Sequence, residues 1–152
     1  MTVFRVWAPE TARVEVDIAG HRHPMVADAA PGWWRADVAA AGDGTDYVFR
    51  LDGGEPLPDP RSPRQAYGIN GASRTYDHSA FAWTDRGWRG GPLHGSVIYE
   101  LHIGTFTPEG TLDAAIDRLG HLTGLGVDTV ELMPVAAFPG GHGAAGPAGT
   151  LA

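Results

Sequence analysis

Four groupings in this sequence bring together side chains able to do chemistry. In Val97-Ile98-Tyr99-Glu100-Leu101-His102-Ile103 a carboxylate and an imidazole stand two residues apart. On a strand that spacing puts Glu100 and His102 on one face with Ile98, and Val97, Tyr99, Leu101 and Ile103 on the other. Such a pair can bind a polar ligand, or it can form a hydrogen-bonded polar layer that keeps an interior satisfied, and the second reading asks nothing beyond the fold. Glu131 sits near the end of a later apolar run with no partner carboxylate evident from sequence, so a structural role is expected for it. His21-x-His23 resembles half a metal site, but no third ligand follows at a usable spacing; an exposed strand or turn is expected, and no metal. Trp33 and Trp34 are adjacent, so in a strand one faces the core and the other faces outward. An outward indole can stack on a sugar ring or pack against a neighbouring domain. Gly42-Asp43-Gly44 and Gly53-Gly54 read as turns, since neither opens a helix as a phosphate-binding loop must.

The stretch from Val97 to Pro134 positions the first two carboxylates. Val97–Ile103 is apolar on both parities, the pattern of a parallel strand buried on both faces. Gly104 to Gly110 reads as a loop, and Thr111 as a helix N-cap with Asp113 in the first turn. Leu112, Ala115, Ile116, Leu119, Leu122 and Leu125 then follow at three- and four-residue steps, predicting one buried helix stripe. Gly124 and Gly126 stop the helix, and Val127 to Met133 reads as a second strand closed by Pro134. Strand, helix, strand at this length is one βαβ unit, and a lone unit leaves two sheet edges and a helix face without partners.

The tryptophan pair belongs to a different texture. Thr2–Trp7, Arg13–Ile18, His23–Val26, Trp33–Val38 and Asp46–Leu51 are short runs punctuated by Gly and Pro, which predicts an antiparallel β-sandwich. Val14, Val16 and Ile18 share one face while Arg13, Glu15 and Asp17 share the other, the half-solvated pattern. Pro56, Pro58, Pro60 and Pro63 mark residues 55–80 as a stiff extended connector, with Ser73–Tyr76 returning as a last strand. Phe81, Trp83 and Trp88 follow among polar residues and glycines. The expected division is a sandwich domain over residues 1–90, with the boundary near 89–95, then the βαβ region over 91–140. The last stretch, 141–152, has no charge, large aromatic or capping pattern, and a disordered or aberrant tail is expected.

Composition narrows the partners. The formal charge is -7, and all basic side chains other than the histidines are arginine. That balance argues against nucleic acid or an anionic membrane as partner. No apolar run approaches the length that spans a bilayer. There are no cysteines, hence no disulfide framework, and Met1 leads directly into a strand pattern without an apolar export segment. A cytoplasmic protein is expected.

Tyr99-Glu100-Leu101-His102-Ile103-Gly104-Thr105-Phe106-Thr107 and Val130-Glu131-Leu132-Met133-Pro134-Val135, with Phe138-Pro139-Gly140, resemble the first two barrel strands of the α-amylase superfamily of glycoside hydrolases. Phe4-Arg5-Val6-Trp7-Ala8-Pro9 and Tyr47-Val48-Phe49-Arg50-Leu51-Asp52 resemble the N-terminal sandwich domain of its malto-oligosyltrehalose trehalohydrolase branch, and Leu57-Pro58-Asp59-Pro60-Arg61-Ser62 resembles the connector there. The resemblance implies an immunoglobulin-like, early-set β-sandwich followed by the first βαβ unit of an incomplete (β/α)8 barrel, a fold that takes about 250 residues when complete. It also implies retaining hydrolysis, by an Asp nucleophile and a Glu acid/base roughly 5 Å apart. The bond cut would be the α-1,4 linkage beside a terminal trehalose of maltooligosyl trehalose, with no cofactor. Both carboxylates of that pattern lie on later strands, so no position here inherits them and the chain alone is expected to be inactive. Tyr99, Glu100 and His102, with Trp33 and Trp34, are the candidate residues for sugar contact. A branching or debranching enzyme fragment and a stand-alone α-glucan-binding sandwich are the alternatives. The likeness stops at Gly141-His142-Gly143, where a Gly-Trp-Gly-Tyr-Asp-like run would come; a lost reading frame or a truncation is expected there.

Overall fold

The computed structural model describes residues 1–137, which form two compact units, one of residues 1–78 and one beginning at Ser79. The boundary expected near 89–95 lies further along the chain than this division. The tail expected over 141–152 and the motif Phe138-Pro139-Gly140 lie outside the described residues.

The first unit is built of short antiparallel strands. β1 (Thr2–Trp7), β5 (Trp33–Val38) and β4 (Val26–Ala27) form a three-stranded sheet in the order β1-β5-β4. β3 (His21–Pro24), β2 (Val14–Ile18), β6 (Asp46–Leu51) and β7 (Ser73–Arg74) form a four-stranded sheet in the order β3-β2-β6-β7. Phe4, Val6, Ala36 and Val38 of the first sheet share a buried cluster with Val14, Val16, Tyr47 and Phe49 of the second, so the two sheets enclose one core. Alternation supplies that core: Val14 and Val16 point in, while Arg50 and Asp17 pair on the far face at 3.0 Å. The turn after β6 needs Asp52 and Gly53 at positive φ, 52° and 77°. Asp52 is held there by its own carboxylate, which accepts from the backbone N–H groups of Ala12 and Arg13 at 3.0 and 2.9 Å.

The connector does not run free as an extended spacer. Leu57 exchanges two 2.8 Å backbone hydrogen bonds with Phe49, and Arg64 bridges to Arg74. Asp59, at 7% exposure, is drawn inward because three groups satisfy it. Tyr47 Oη donates to its Oδ2 at 2.7 Å, Arg61 N–H donates to its Oδ1 at 2.8 Å, and its own N–H donates to the buried Ser73 Oγ at 2.8 Å. Prolines remove donors the segment does not need, and Asp59 pins what remains to the sheet.

In the second unit β8 (Ile98–Leu101) pairs in parallel with β9 (Thr129–Leu132), and three short helices lie between them: α1 (Ile103–Phe106), α2 (Leu112–Ile116) and α3 (Leu119–Gly124). Thr111 caps α2 as its type suggests, its Oγ1 accepting from Ala114 N–H at 3.2 Å. Three sequence expectations change. Ile103 and Gly104 belong to a helical turn and not to strand or loop. The expected single helix is divided at Asp117–Arg118 into α2 and α3. The stripe is also only half covered: Ala115 and Leu122 are buried with Leu101 and Ile103, whereas Ile116, Leu119 and Leu125 are exposed. One strand pair is too narrow to cover the full breadth of that stripe. No helix among the described residues is long and apolar enough to cross a membrane.

Candidate functional site

The parallel pair sets the geometry of the polar face. Register places Ile98 beside Thr129, Tyr99 beside Val130, Glu100 beside Glu131 and Leu101 beside Leu132. Leu101 and Val130 pack with the helices, so strand alternation turns Glu100 and Glu131 to the opposite, open face. Neighbouring strands lie about 4.8 Å apart, which makes Glu100 and Glu131 direct lateral neighbours. The expectation that Glu131 lacks a partner carboxylate is therefore corrected. Neither carboxylate forms an ion pair with a described residue, and both are exposed. His102, one step beyond the strand and half-buried, has Nδ1 3.4 Å from Thr105 Oγ1. The start of β8 is clamped to the start of β9: Val97 N–H donates to Asp128 Oδ2 at 3.0 Å, and Val97 O accepts from Asp128 N–H at 3.0 Å.

Tyr99 lies on the helix side, with its ring 6.2 Å from that of Phe106. It lies on the opposite face of β8 from Glu100, as strand alternation predicts.

The tryptophan pair separates as adjacency requires. Trp34 turns to the core side, packs against the buried cluster and donates from Nε1 to Ala8 O at 3.0 Å. A ligand-stacking role is thereby closed to it. Trp33 turns to the outer face of the three-stranded sheet, where the guanidiniums of Arg5 and Arg61 each stand 5.2 Å from its ring centroid. Sequence reading missed its neighbour. Trp7 is the register partner of Trp33 and is 61% exposed. The signal was available, since Arg5 and Trp7 share one parity of β1 and an antiparallel neighbour would put Trp33 opposite that parity. Arg5 Nε also donates to Asp28 at 2.6 Å. Together with the backbone N–H of Ala29, the larger influence, that contact holds the Asp28 carboxyl below its usual range.

His21 and His23 lie on β3 opposite Ile18 and Val16. Among the described residues no group of three or more His, Cys, Asp or Glu is disposed to hold a metal ion.

This arrangement provides two surfaces able to meet a hydroxyl-rich ligand, the Trp7–Trp33 face and the Glu100–Glu131 face. Glu100 and Glu131 stand at equal height on neighbouring strands, side by side and open. A retaining dyad instead flanks a scissile bond from two sides.

No protein-family model matches the chain. It is 53% identical over 145 residues to a malto-oligosyltrehalose trehalohydrolase of Rhizobium sp. (strain M-11), a match covering 91% of this chain and 24% of the relative. It is 51% identical over 144 residues to a malto-oligosyltrehalose trehalohydrolase of Arthrobacter ramosus, covering 92% of this chain and 25% of the relative. A crystal structure of a provisionally named α-amylase from Salmonella typhimurium superposes with a TM-score of 0.84 at 43% identity, over 93% of this chain and 24% of that one. The chain spans about a quarter of the length of the curated relatives it matches, and the matched part is N-terminal.

Proposed function

We infer that this chain is the N-terminal part of a glycoside hydrolase whose whole form releases trehalose from maltooligosyl trehalose by hydrolysing the adjacent α-1,4-glucosidic bond. One observation carries the reading: identity above half extends over nine-tenths of this chain while taking in only the first quarter of enzymes with that name. In this reading residues 1 to about 90 are an immunoglobulin-like sandwich with its Pro-rich connector, and the parallel β8–β9 pair with its helices is the opening unit of a (β/α)8 barrel. The parallel register supports the barrel assignment, because βαβ units are the repeating element of that fold. Cytoplasmic work on an α-glucan, without a cofactor, belongs to the same proposal.

Within it, Glu100 and His102 face the barrel interior and lie at the floor of the sugar site, where they act by hydrogen bonding. Neither is the nucleophile or the acid/base; those carboxylates belong to strands this chain does not contain. The chain by itself is a scaffold without its reaction. The test is a chimera in which residues 1–137 replace the matched quarter of the Arthrobacter ramosus relative. Trehalose release by the chimera supports the reading; a folded chimera without that activity, beside an active parent, overturns it.

A stand-alone glucan-binding sandwich is the second reading, favoured by the exposed Trp7 beside Trp33. Titration of the chain with maltohexaose separates the two. Heat with a change in Trp fluorescence supports the binding module, and the main reading expects neither.

A further inference from the structure

β8 and β9 run in parallel, so their C-terminal ends lie on the same side, where Met133 N–H donates to Leu101 O at 2.9 Å. In a (β/α)8 barrel the substrate meets that end of the strands and the loops that leave it. His102 is the first residue past β8 there, and the segment after it is closed on itself. Buried Ile103 and the partly buried Phe106 pack into the cluster of Leu101, Ala115 and Leu122. Gly110 N–H donates to Thr107 O and Oγ1 at 3.1 and 3.2 Å, and Thr107 is itself buried. Gly110, at φ 65°, comes so near Gly104 that a Cβ would stand 3.2 Å from Gly104 O. At the start of this brace stand the half-buried His102 ring and the exposed Thr105. Thr105 Oγ1 lies 3.4 Å from His102 O and 3.4 Å from His102 Nδ1. A hydroxyl has one hydrogen to give, and a carbonyl oxygen can only accept. With that hydrogen on His102 O, a Thr105 lone pair faces Nδ1, which must then carry the ring hydrogen. In the neutral ring Nε2 is left as the acceptor. Among the described residues Nε2 has no hydrogen-bond partner, and it is not shut off from solvent.

We propose that His102 Nε2 accepts a hydroxyl hydrogen from the sugar chain of the substrate, and that Thr105 is the positioning residue that keeps the ring hydrogen on Nδ1. The inference rests on the reading of the previous subsection and adds the atom that acts, the direction of the bond and the group that sets it. The lone pair of an uncharged ring turns anions away, and among the described residues no group of three ligating side chains is disposed to recruit a metal. It suits an O–H donor, the single donor class an α-glucan carries. The braced loop holds the acceptor in place before substrate arrives, so little ordering is left to binding. The contact is made before and during bond breaking alike, so its loss weakens binding and leaves turnover in place.

The experiment has a spectroscopic arm and a kinetic arm. Heteronuclear nitrogen correlation spectra of the full chain at about pH 8, above the ordinary histidine range, read which ring nitrogen carries hydrogen, with His102→Gln identifying the signal. The expected pattern has hydrogen on Nδ1 of His102, and moves toward Nε2 in Thr105→Val but not in Thr105→Ser. Hydrogen on Nε2 in the parent chain, or a pattern that Thr105→Val leaves unchanged, overturns the proposal. The kinetic arm uses the chimera of residues 1–137 with the Arthrobacter ramosus relative, acting on maltooligosyl trehalose. His102→Ala is expected to raise KM about tenfold, the loss of one hydrogen bond, with kcat within about twofold. His102→Gln, which keeps an acceptor and most of the bulk, is expected to recover most of that loss. Thr105→Val is expected to raise KM about threefold, and Thr105→Ser to bring it back. An active chimera whose KM is unmoved by His102→Ala overturns the proposal and leaves the functional reading standing. A folded chimera without activity, beside an active parent, overturns that reading and the sugar contact with it.

Discussion

Tyr47→Phe isolates one atom of the first unit. The ring would remain in place against Phe4 and Phe49, whose centroids lie 4.8 and 5.7 Å away in edge-to-face contact, so core volume is conserved. What disappears is the phenol O–H that donates to Asp59 Oδ2 at 2.7 Å. Asp59 stays buried, keeping Arg61 N–H on Oδ1 but losing the only side-chain donor that reaches its other oxygen among the described residues. Loss of a hydrogen bond to a charged group costs about 1.5–3 kcal/mol. At about 4–8 °C per kcal/mol for a domain of this size, taking roughly 2 kcal/mol lowers Tm by about 8–16 °C. The assay is thermal and urea unfolding of the full chain followed by far-UV circular dichroism, in which the sheets of the first unit dominate. A double-mutant cycle with Asp59→Asn should give a coupling of at least about 1 kcal/mol. A Tm shift below about 2 °C, or a coupling indistinguishable from zero, would refute the claim that this contact pins the connector.

The same tyrosine predicts an alkaline limb. Burial first, then the Asp59 carboxylate, pushes the phenol well above its ordinary value, so its contribution is intact below about pH 10 and is lost as pH rises toward the folded value. Tyr47→Phe should remove that limb from a plot of Tm against pH. Asp46 gives the opposite sign. Arg74, donating from Nε and Nη2 at 2.6 and 2.9 Å, holds its carboxyl below the usual range, so the folded chain binds fewer protons and stability falls as pH drops below about 4. Asp46→Asn should flatten the acid limb, and at neutral pH should cost only about 0.2–1 kcal/mol because the pair is partly exposed. Hydrogen exchange should divide the chain, with amides of β2 and β6 protected far more than those of β8 and β9; equal protection would contradict the account of a half-covered second unit.

Legibility tracked the distance over which a feature is determined. β1, β5 and β6 could be read almost to the residue because alternation and flanking turns are local: Phe4 and Val6, or Ala36 and Val38, announce their own face. The Thr111 cap was readable for the same reason. What escaped depends on partners remote in sequence. Leu112 to Leu125 has the spacing of a buried stripe, yet Ile116 and Leu125 remain exposed, since periodicity reports which side would be buried and not whether anything covers it. Asp59 read as part of a Pro-rich spacer, and only the fold brings Tyr47 and Ser73 to it. The Glu100–Glu131 neighbourhood follows from parallel register across 31 positions, although both carboxylates are the third residue of their strands. For the site, Glu100 reads as a strand residue and lies in β8, whereas His102 stands one step beyond that strand as the residue before α1; Trp7 went unnoticed because its exposure depends on the pairing of β1 with β5.

The claim on which the rest stands is that this polypeptide carries a scaffold without the carboxylates that break the sugar linkage. Incubation of the purified 152-residue chain with maltooligosyl trehalose, followed by chromatographic detection of trehalose, tests it most directly. No trehalose above the protein-free blank is the predicted result. Steady release that tracks the chain through purification and survives removal of contaminating enzyme would contradict it.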